Sequence, residues 1–132
     1  MKLQTGDKFS ITKQISDQVV RAFADLSGDD NPIHLDDEAA SNTIFGRRIA
    51  HGMISGALIS AVLGSRVDPG KVVYLSQTIK FIAPVFIDDE ITAEAEVTAI
   101  RDDKPIVTLA TVCRKPDGTA VVEGEAKVLI LD

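Results

Sequence analysis

Gly52-Met53-Ile54-Ser55-Gly56-Ala57-Leu58-Ile59-Ser60-Ala61-Val62-Leu63-Gly64 carries no charged residue and interleaves Ile, Leu, Val and Met with Gly, Ala and Ser. A helix that is apolar on every side is a buried helix, and its small residues let other backbone pack close against it. At ~1.5 Å per residue it would run about 20 Å, long enough to cross the core of a small domain. The chain that follows has a different period. Residues 72–84, 91–100, 106–115 and 120–131 read as strands, most clearly where Ile91, Ala93, Ala95, Val97 and Ala99 alternate with Thr92, Glu94, Glu96 and Thr98. One face of such a strand is apolar and the other wet. Asp102-Asp103-Lys104-Pro105 and Pro116-Asp117-Gly118 are turn sequences that make these strands neighbouring hairpin partners. A buried helix followed by four or five antiparallel strands predicts an α+β fold, a curved sheet wrapped around the helix. No repeat or linker interrupts it, so one domain is expected over residues 1–132.

Before the buried stretch, residues 7–15 alternate loosely, with Phe9, Ile11 and Ile15 as the apolar members of a short strand. Ser16 or Asp17 can cap a helix whose stripe is Val19, Val20, Phe23 and Leu26. Gly28 is placed to stop it in a left-handed conformation. A second short helix is expected over 36–40, with acids in its first turn, and 42–49 reads as irregular.

Between the first helix and the buried one lies Gly28-Asp29-Asp30-Asn31-Pro32-Ile33-His34. Asp29 and His34 are an acid/base-capable pair five residues apart. Pro32 has a fixed φ and no N–H, and it biases Asn31 away from helix, so the pair is expected on a shaped loop. The Gly52 N–H, at the positive end of the buried helix, is a candidate donor to a developing oxyanion. A carboxylate, an imidazole and a helix N-terminus together suit adding or removing water beside a carbonyl. The plainer reading of Gly-Asp-x-Asn-Pro is turn chemistry, with Asp29 bonding its own backbone. A metal site is not expected. Asp29, Asp30, His34, Asp36 and Asp37 cluster, but they lack the glycine and closing glutamate of a calcium loop and any HxxxH spacing.

His51 reads as a packing or capping residue, and Ser60 lacks the glycine-flanked elbow of a serine nucleophile, so its hydroxyl is expected to bond within the helix or toward the site. Arg47 and Arg48 are either solvated loop residues or partners for a substrate phosphate.

The 132 residues are 45% hydrophobic, enough for a real core. A formal net charge of −6 argues against bulk electrostatic binding to nucleic acid or anionic membrane. The one cysteine, Cys113, sits in a strand-like alternation and reads as a structural thiol. The first residues lack the apolar core of a signal peptide, and no apolar run approaches the ~20 residues of a membrane span. A cytoplasmic protein is expected.

The run Phe23-Ala24-Asp25-Leu26-Ser27-Gly28-Asp29-Asp30-Asn31-Pro32-Ile33-His34-Leu35-Asp36-Asp37-Glu38-Ala39 resembles the hydratase-2 motif of MaoC-like dehydratases. Arg48-Ile49-Ala50-His51-Gly52-Met53 is similar to the start of that family's central helix, and Tyr74 to Phe81 with Pro84 to Ala93 to its following strands. Within the family the likeness is greatest to short bacterial (R)-specific enoyl-CoA hydratases of polyhydroxyalkanoate monomer supply. The resemblance implies a hot-dog fold, usually a homodimer, acting on an acyl-CoA thioester without a further cofactor, since CoA is part of the substrate. It implies Asp29 and His34 as the catalytic pair, Gly52 as the oxyanion donor, and Asn31 and Ser60 in support. Two rivals stand beside hydration of a trans-2-enoyl-CoA. One is a thioesterase on the same fold, and the other is a non-catalytic acyl-CoA-binding subunit.

Overall fold

The computed structural model describes residues 2–132; Met1, the first residue of the expected domain, lies outside the described residues. In chain order the elements are β1 (Lys8–Gln14), α1 (Asp17–Ser27), α2 (Pro32–Leu35), α3 (Asp37–Ser41), α4 (Gly52–Val62), a π-helical turn Leu63–Val67, then β2 (Val72–Phe81), β3 (Glu90–Ile100), β4 (Ile106–Arg114) and β5 (Ala120–Ile130). The five strands form one antiparallel sheet in the order β1-β3-β4-β5-β2. Its inner face supplies Ile91, Ala93, Ala95, Val97, Val107 and Leu109, all fully buried, and α4 packs against them through Ile54, Leu58, Ile59 and Val62. This is the hot-dog arrangement, with α4 as the filling.

Local chemistry explains most of the boundaries. Ser16 caps α1 by accepting the Val19 N–H, and Gly28 closes it at φ 79°, a conformation that costs glycine little. Val20 of the expected stripe is fully buried, whereas Leu26 at the helix end is 84% exposed. Asp36 caps α3, accepting from the Glu38 and Ala39 N–H groups.

Three expectations change. The segment after Asn31 is a single helical turn, because Pro32 stands at the first helical position, where its missing N–H costs nothing, and Asn31 Oδ1 accepts the Ile33 N–H as cap. Helix α4 does not stop at Gly64 but widens into a π turn that buries both Leu63 and Val67. Nor is it covered all round: Gly52, Met53, Ala57 and Ser60 are exposed, on the same side as β2, an edge strand carrying the exposed Val73, Tyr74 and Leu75.

In β3 a register shift between Val97 and Ala99 breaks the alternation and leaves Ala99 exposed. Gly124 in β5, unremarkable in sequence, sits where a Cβ would stand 1.8 Å from the Thr78 carbonyl oxygen, so the backbone of β2 requires glycine there. Cys113 is buried beside the Ser55 carbonyl, 3.6 Å away, and burial pushes its thiol up to about 11, a structural environment.

Candidate active site

Two chain segments meet above the N-terminus of α4. The first, residues 28–35, leaves α1 at Gly28 and carries Asp29 and His34. The second, residues 47–52, runs into α4 and carries Arg48, His51 and Gly52. They line a cavity of about 590 Å³ whose wall includes Asp29, His34, His51 and Gly52 among Phe23, Phe45, Met53, Phe81, Pro84 and Val122. Polar groups few in number within an apolar wall are the usual composition of a small-molecule site.

One donor atom each of Asp29, His34 and His51 lie within 4.8 Å of one another. Asp29 Oδ1 accepts the Asn31 N–H at 3.2 Å, the turn bond that the plainer reading of this sequence requires. Its other oxygen makes no hydrogen bond among the described residues. Asn31 therefore both receives Asp29 and caps α2, which fixes the short path from the carboxylate to the imidazole. His34 is 8% exposed, and its Nδ1 lies 2.7 Å from the Ile49 carbonyl. A carbonyl can only accept, so Nδ1 carries the hydrogen and Nε2 is left with a free lone pair. Burial holds the His34 imidazole below its ordinary value near 6.5, with the neighbouring His51 adding to the lowering. The hydrogen bond to Ile49 and the Asp29 carboxylate pull the other way without reversing it. A neutral imidazole with Nε2 unprotonated is the form that can take a proton.

Gly52 is the first residue of α4, where N–H groups lack an intrahelical acceptor and the dipole is positive. A Cβ at this position would meet the Phe81 ring at 2.6 Å. The absence of a side chain thus lets Phe81 close over the helix end.

The other expected residues separate. Ser60 is exposed two turns along α4 and lines a second cavity with Gly56, Tyr74 and Gln77, rather than the one that holds Asp29 and His34. Arg47 is exposed and its guanidinium lies 3.9 Å over the Phe86 ring. Arg48 is buried: Nε donates to the His34 carbonyl at 2.7 Å and Nη2 to Asp17 at 2.5 Å. With both ends engaged it braces the His34 segment and is not free for a substrate phosphate; its guanidinium in turn holds the Asp17 carboxyl below the usual range.

Sequence reading missed the cavity role of Ser27, which accepts the Asp29 N–H at 3.1 Å and donates to the Phe23 carbonyl at 2.7 Å. Only its place two residues before Asp29 pointed to it. It also underrated His51, buried at 3% exposure with Nε2 2.9 Å from the Asp29 carbonyl. His51 Nδ1 is buried without a hydrogen-bond partner, although the residue lines the cavity.

A family model described as "MaoC like domain" matches residues 2–115. The chain is 48% identical to the (R)-specific enoyl-CoA hydratase of Aeromonas caviae over 127 residues, covering 96% of this chain and 94% of that protein. It is 43% identical to the (R)-specific enoyl-CoA hydratase of Rhodospirillum rubrum, covering 97% and 88%. The solved structure of the (R)-hydratase from A. caviae involved in PHA biosynthesis superposes with a TM-score of 0.95 at 45% identity, covering 98% of both chains.

Proposed function

The chain belongs to the MaoC-like family, and on that footing we propose that it is an (R)-specific enoyl-CoA hydratase, a hydro-lyase that adds water to a trans-2-enoyl-CoA to give the (R)-3-hydroxyacyl-CoA, and catalyses the reverse dehydration. One observation carries the site assignment. One donor atom each of the Asp29 carboxylate and the His34 imidazole lie within 4.8 Å of one another, and each residue keeps an uncommitted atom, in an apolar cavity that also exposes the start of α4. Two hydrogen bonds to one water span such a gap, since each is about 2.8 Å long.

The thioester carbonyl would accept the Gly52 N–H. As the water oxygen bonds to C3, the C2–C3 π electrons move toward the carbonyl and negative charge collects on its oxygen. A preorganised donor at that point is worth about 10²–10³ in rate. The water's proton passes to the Asp29–His34 pair, and a proton is delivered from the pair to C2. Addition of both from one held water on one face makes the process syn, in keeping with the (R)-specific names of the relatives. The reaction is redox-neutral and draws on no cofactor, CoA being the substrate's own handle.

Arg47, exposed and stacked on Phe86, is the residue proposed to meet a CoA phosphate. Ser60 is proposed to act from the second cavity, which shares Phe23 and Met53 with the first. The exposed apolar side of α4 and the apolar edge strand β2 support a homodimer through that face. No helix among the described residues is long and apolar enough to cross a membrane; a cytoplasmic location goes with the proposed substrate, and residues 1–132 would form one catalytic domain.

Crotonyl-CoA tests the reading. Loss of the conjugated enoyl absorbance with (R)-3-hydroxybutyryl-CoA as product and no release of free thiol is expected. Release of thiol would replace it with a thioesterase, and binding of enoyl-CoA without turnover would replace it with a non-catalytic subunit.

A further inference from the structure

Four hydrogen bonds tie the segment bearing Asp29 and His34 to the segment that opens α4. His34 Nδ1 donates to the Ile49 carbonyl (2.7 Å), Arg48 Nε to the His34 carbonyl (2.7 Å), the Ile49 N–H to the Ile33 carbonyl (3.4 Å), and His51 Nε2 to the Asp29 carbonyl (2.9 Å). Three of the four hold the His34 end of the pair. Among them, the His51 bond alone reaches Asp29, whose other bonds, to Ser27 and Asn31, stay within its own segment.

Packing does not by itself explain an imidazole at this position. The ring lies against His34 with centroids 3.9 Å apart and 30° between planes, and against Phe23 at 4.9 Å. An aliphatic side chain of similar volume would fill that space without burying a nitrogen, Nδ1, that finds no partner. What the imidazole supplies and a leucine cannot is the Nε2–H directed at the Asp29 carbonyl. That nitrogen is engaged by the Asp29 carbonyl and the other is buried without a partner, so the ring's one hydrogen bond serves to hold Asp29.

We propose that His51 is a positioning residue for hydration. It holds the Asp29 backbone against the start of α4, so that the carboxylate, the imidazole of His34 and the Gly52 N–H keep one fixed spacing. The residue is suited to this by its place in the chain. Its own backbone is the N-cap of α4, immediately before Gly52, so its hydrogen bond links the oxyanion donor to the acid through a single side chain. The ring stack applies the same constraint to His34. Because the pair must grip one water between two atoms, a shift of Asp29 by about 1 Å leaves the water bound to only one of them, and displacements of that size cost about 10²-fold in rate.

The inference rests on the hydratase reading, and two readouts keep their failures apart. The first is crotonyl-CoA hydration by wild type, His51→Leu and His51→Gln, with thermal melts to show that each folds. The glutamine amide nitrogen reaches about as far as Nε2 and can donate to the same carbonyl; leucine cannot. Leu is expected to lower kcat about 10²-fold with KM within about threefold, and Gln to recover most of the loss. Should His51→Leu not fold, His51→Asn takes its place, polar but too short to reach Asp29, and is expected to behave like Leu beside Gln. The second readout needs no turnover. Hydrogen exchange at the Asn31 amide, which donates to Asp29 Oδ1, is expected to quicken at least tenfold in Leu or Asn and to stay near wild type in Gln.

A His51→Leu or Asn enzyme with kcat within twofold of wild type would overturn the proposal, and so would a folded Gln variant as impaired as Leu. If wild type proves inert on enoyl-CoA, the hydratase reading falls by itself. The exchange experiment then decides, and equal exchange in all variants overturns the positioning role.

Discussion

Two cavities share the walls made by Phe23 and Met53, and they differ in what their polar groups are doing. In the second, of about 690 Å³, Tyr74 donates to Gln77 Oε1, and the Gln77 amide donates in turn to Thr111 Oγ1 at 3.0 Å and the Thr78 carbonyl at 2.8 Å. Tyr74 and Gln77 are thus bonded to each other and to the sheet. In the first, Asp29 keeps an oxygen and His34 keeps Nε2 uncommitted, while Ser27, the Asn31 N–H, Arg48 and His51 Nε2 are spent on holding their segment in place. The contrast separates a surface that packs from a site that reacts. Buried polar groups are normally paired, so the unspent lone pair of the buried His34, beside the exposed Asp29 carboxylate at a helix N-terminus, is the informative observation. The difference also follows α4 itself, whose positive end meets the first cavity and whose middle meets the second.

Substitutions can break this comparison or sharpen it. His34→Gln keeps a polar side chain but removes the base, and is expected to lower crotonyl-CoA hydration about 10²–10⁴-fold in kcat. A loss under tenfold would put the base elsewhere. Arg47→Ala should act on binding, raising KM for the CoA thioester about tenfold at low salt with kcat nearly unchanged; this is the size of one charge-assisted contact to a phosphate. An effect that persists at high salt would instead point to lost packing on Phe86. Ser60→Ala, in the second cavity, is expected to change kcat by no more than about fivefold. If it matched His34→Gln, the two cavities would have to be read as one site.

The pH profile is the subtlest test. Burial lowers the His34 pKa below its ordinary 6.5, and the neutral form is the active base. The acid limb of kcat/KM should therefore lie below pH 6.5, with activity falling as pH drops through the lowered value. A limb at or above pH 6.5 would contradict a buried, neutral His34. The same shift has a stability sign. Below 6.5 the unfolded chain binds a proton that the folded one does not, so His34 lowers stability as pH falls from 6.5 to its folded pKa, and by no more beyond that.

Much of this architecture was legible in the sequence because period and punctuation are local. The alternation of β3, the turn residues before β4 and β5, the Ser16 cap and the Gly28 stop each act within a few residues, and each element formed where its own chemistry placed it. What escaped depended on partners far along the chain. The exposure of Met53, Ala57 and Ser60 reflects what the sheet leaves uncovered on α4, and the need for glycine at 124 comes from the β2 backbone. Arg47 and Arg48 are adjacent and alike in sequence. Only Asp17, 31 residues earlier and half-exposed, decides that the buried Arg48 is a brace. For the site, spacing brought Asp29, His34 and Gly52 under notice, while the weight of His51 lay in a carbonyl 22 residues away.

The central claim is that Asp29 and His34 together activate one water for addition to C3. Its most direct test is the turnover of crotonyl-CoA by Asp29→Asn beside wild type, with thermal melts of both. Asparagine keeps the shape and the acceptor for the Asn31 N–H but cannot hold charge or take the proton. A folded Asp29→Asn enzyme slower by about 10²–10⁴-fold, beside a wild type that forms (R)-3-hydroxybutyryl-CoA, is the predicted result. A folded variant that hydrates within tenfold of wild type would contradict it.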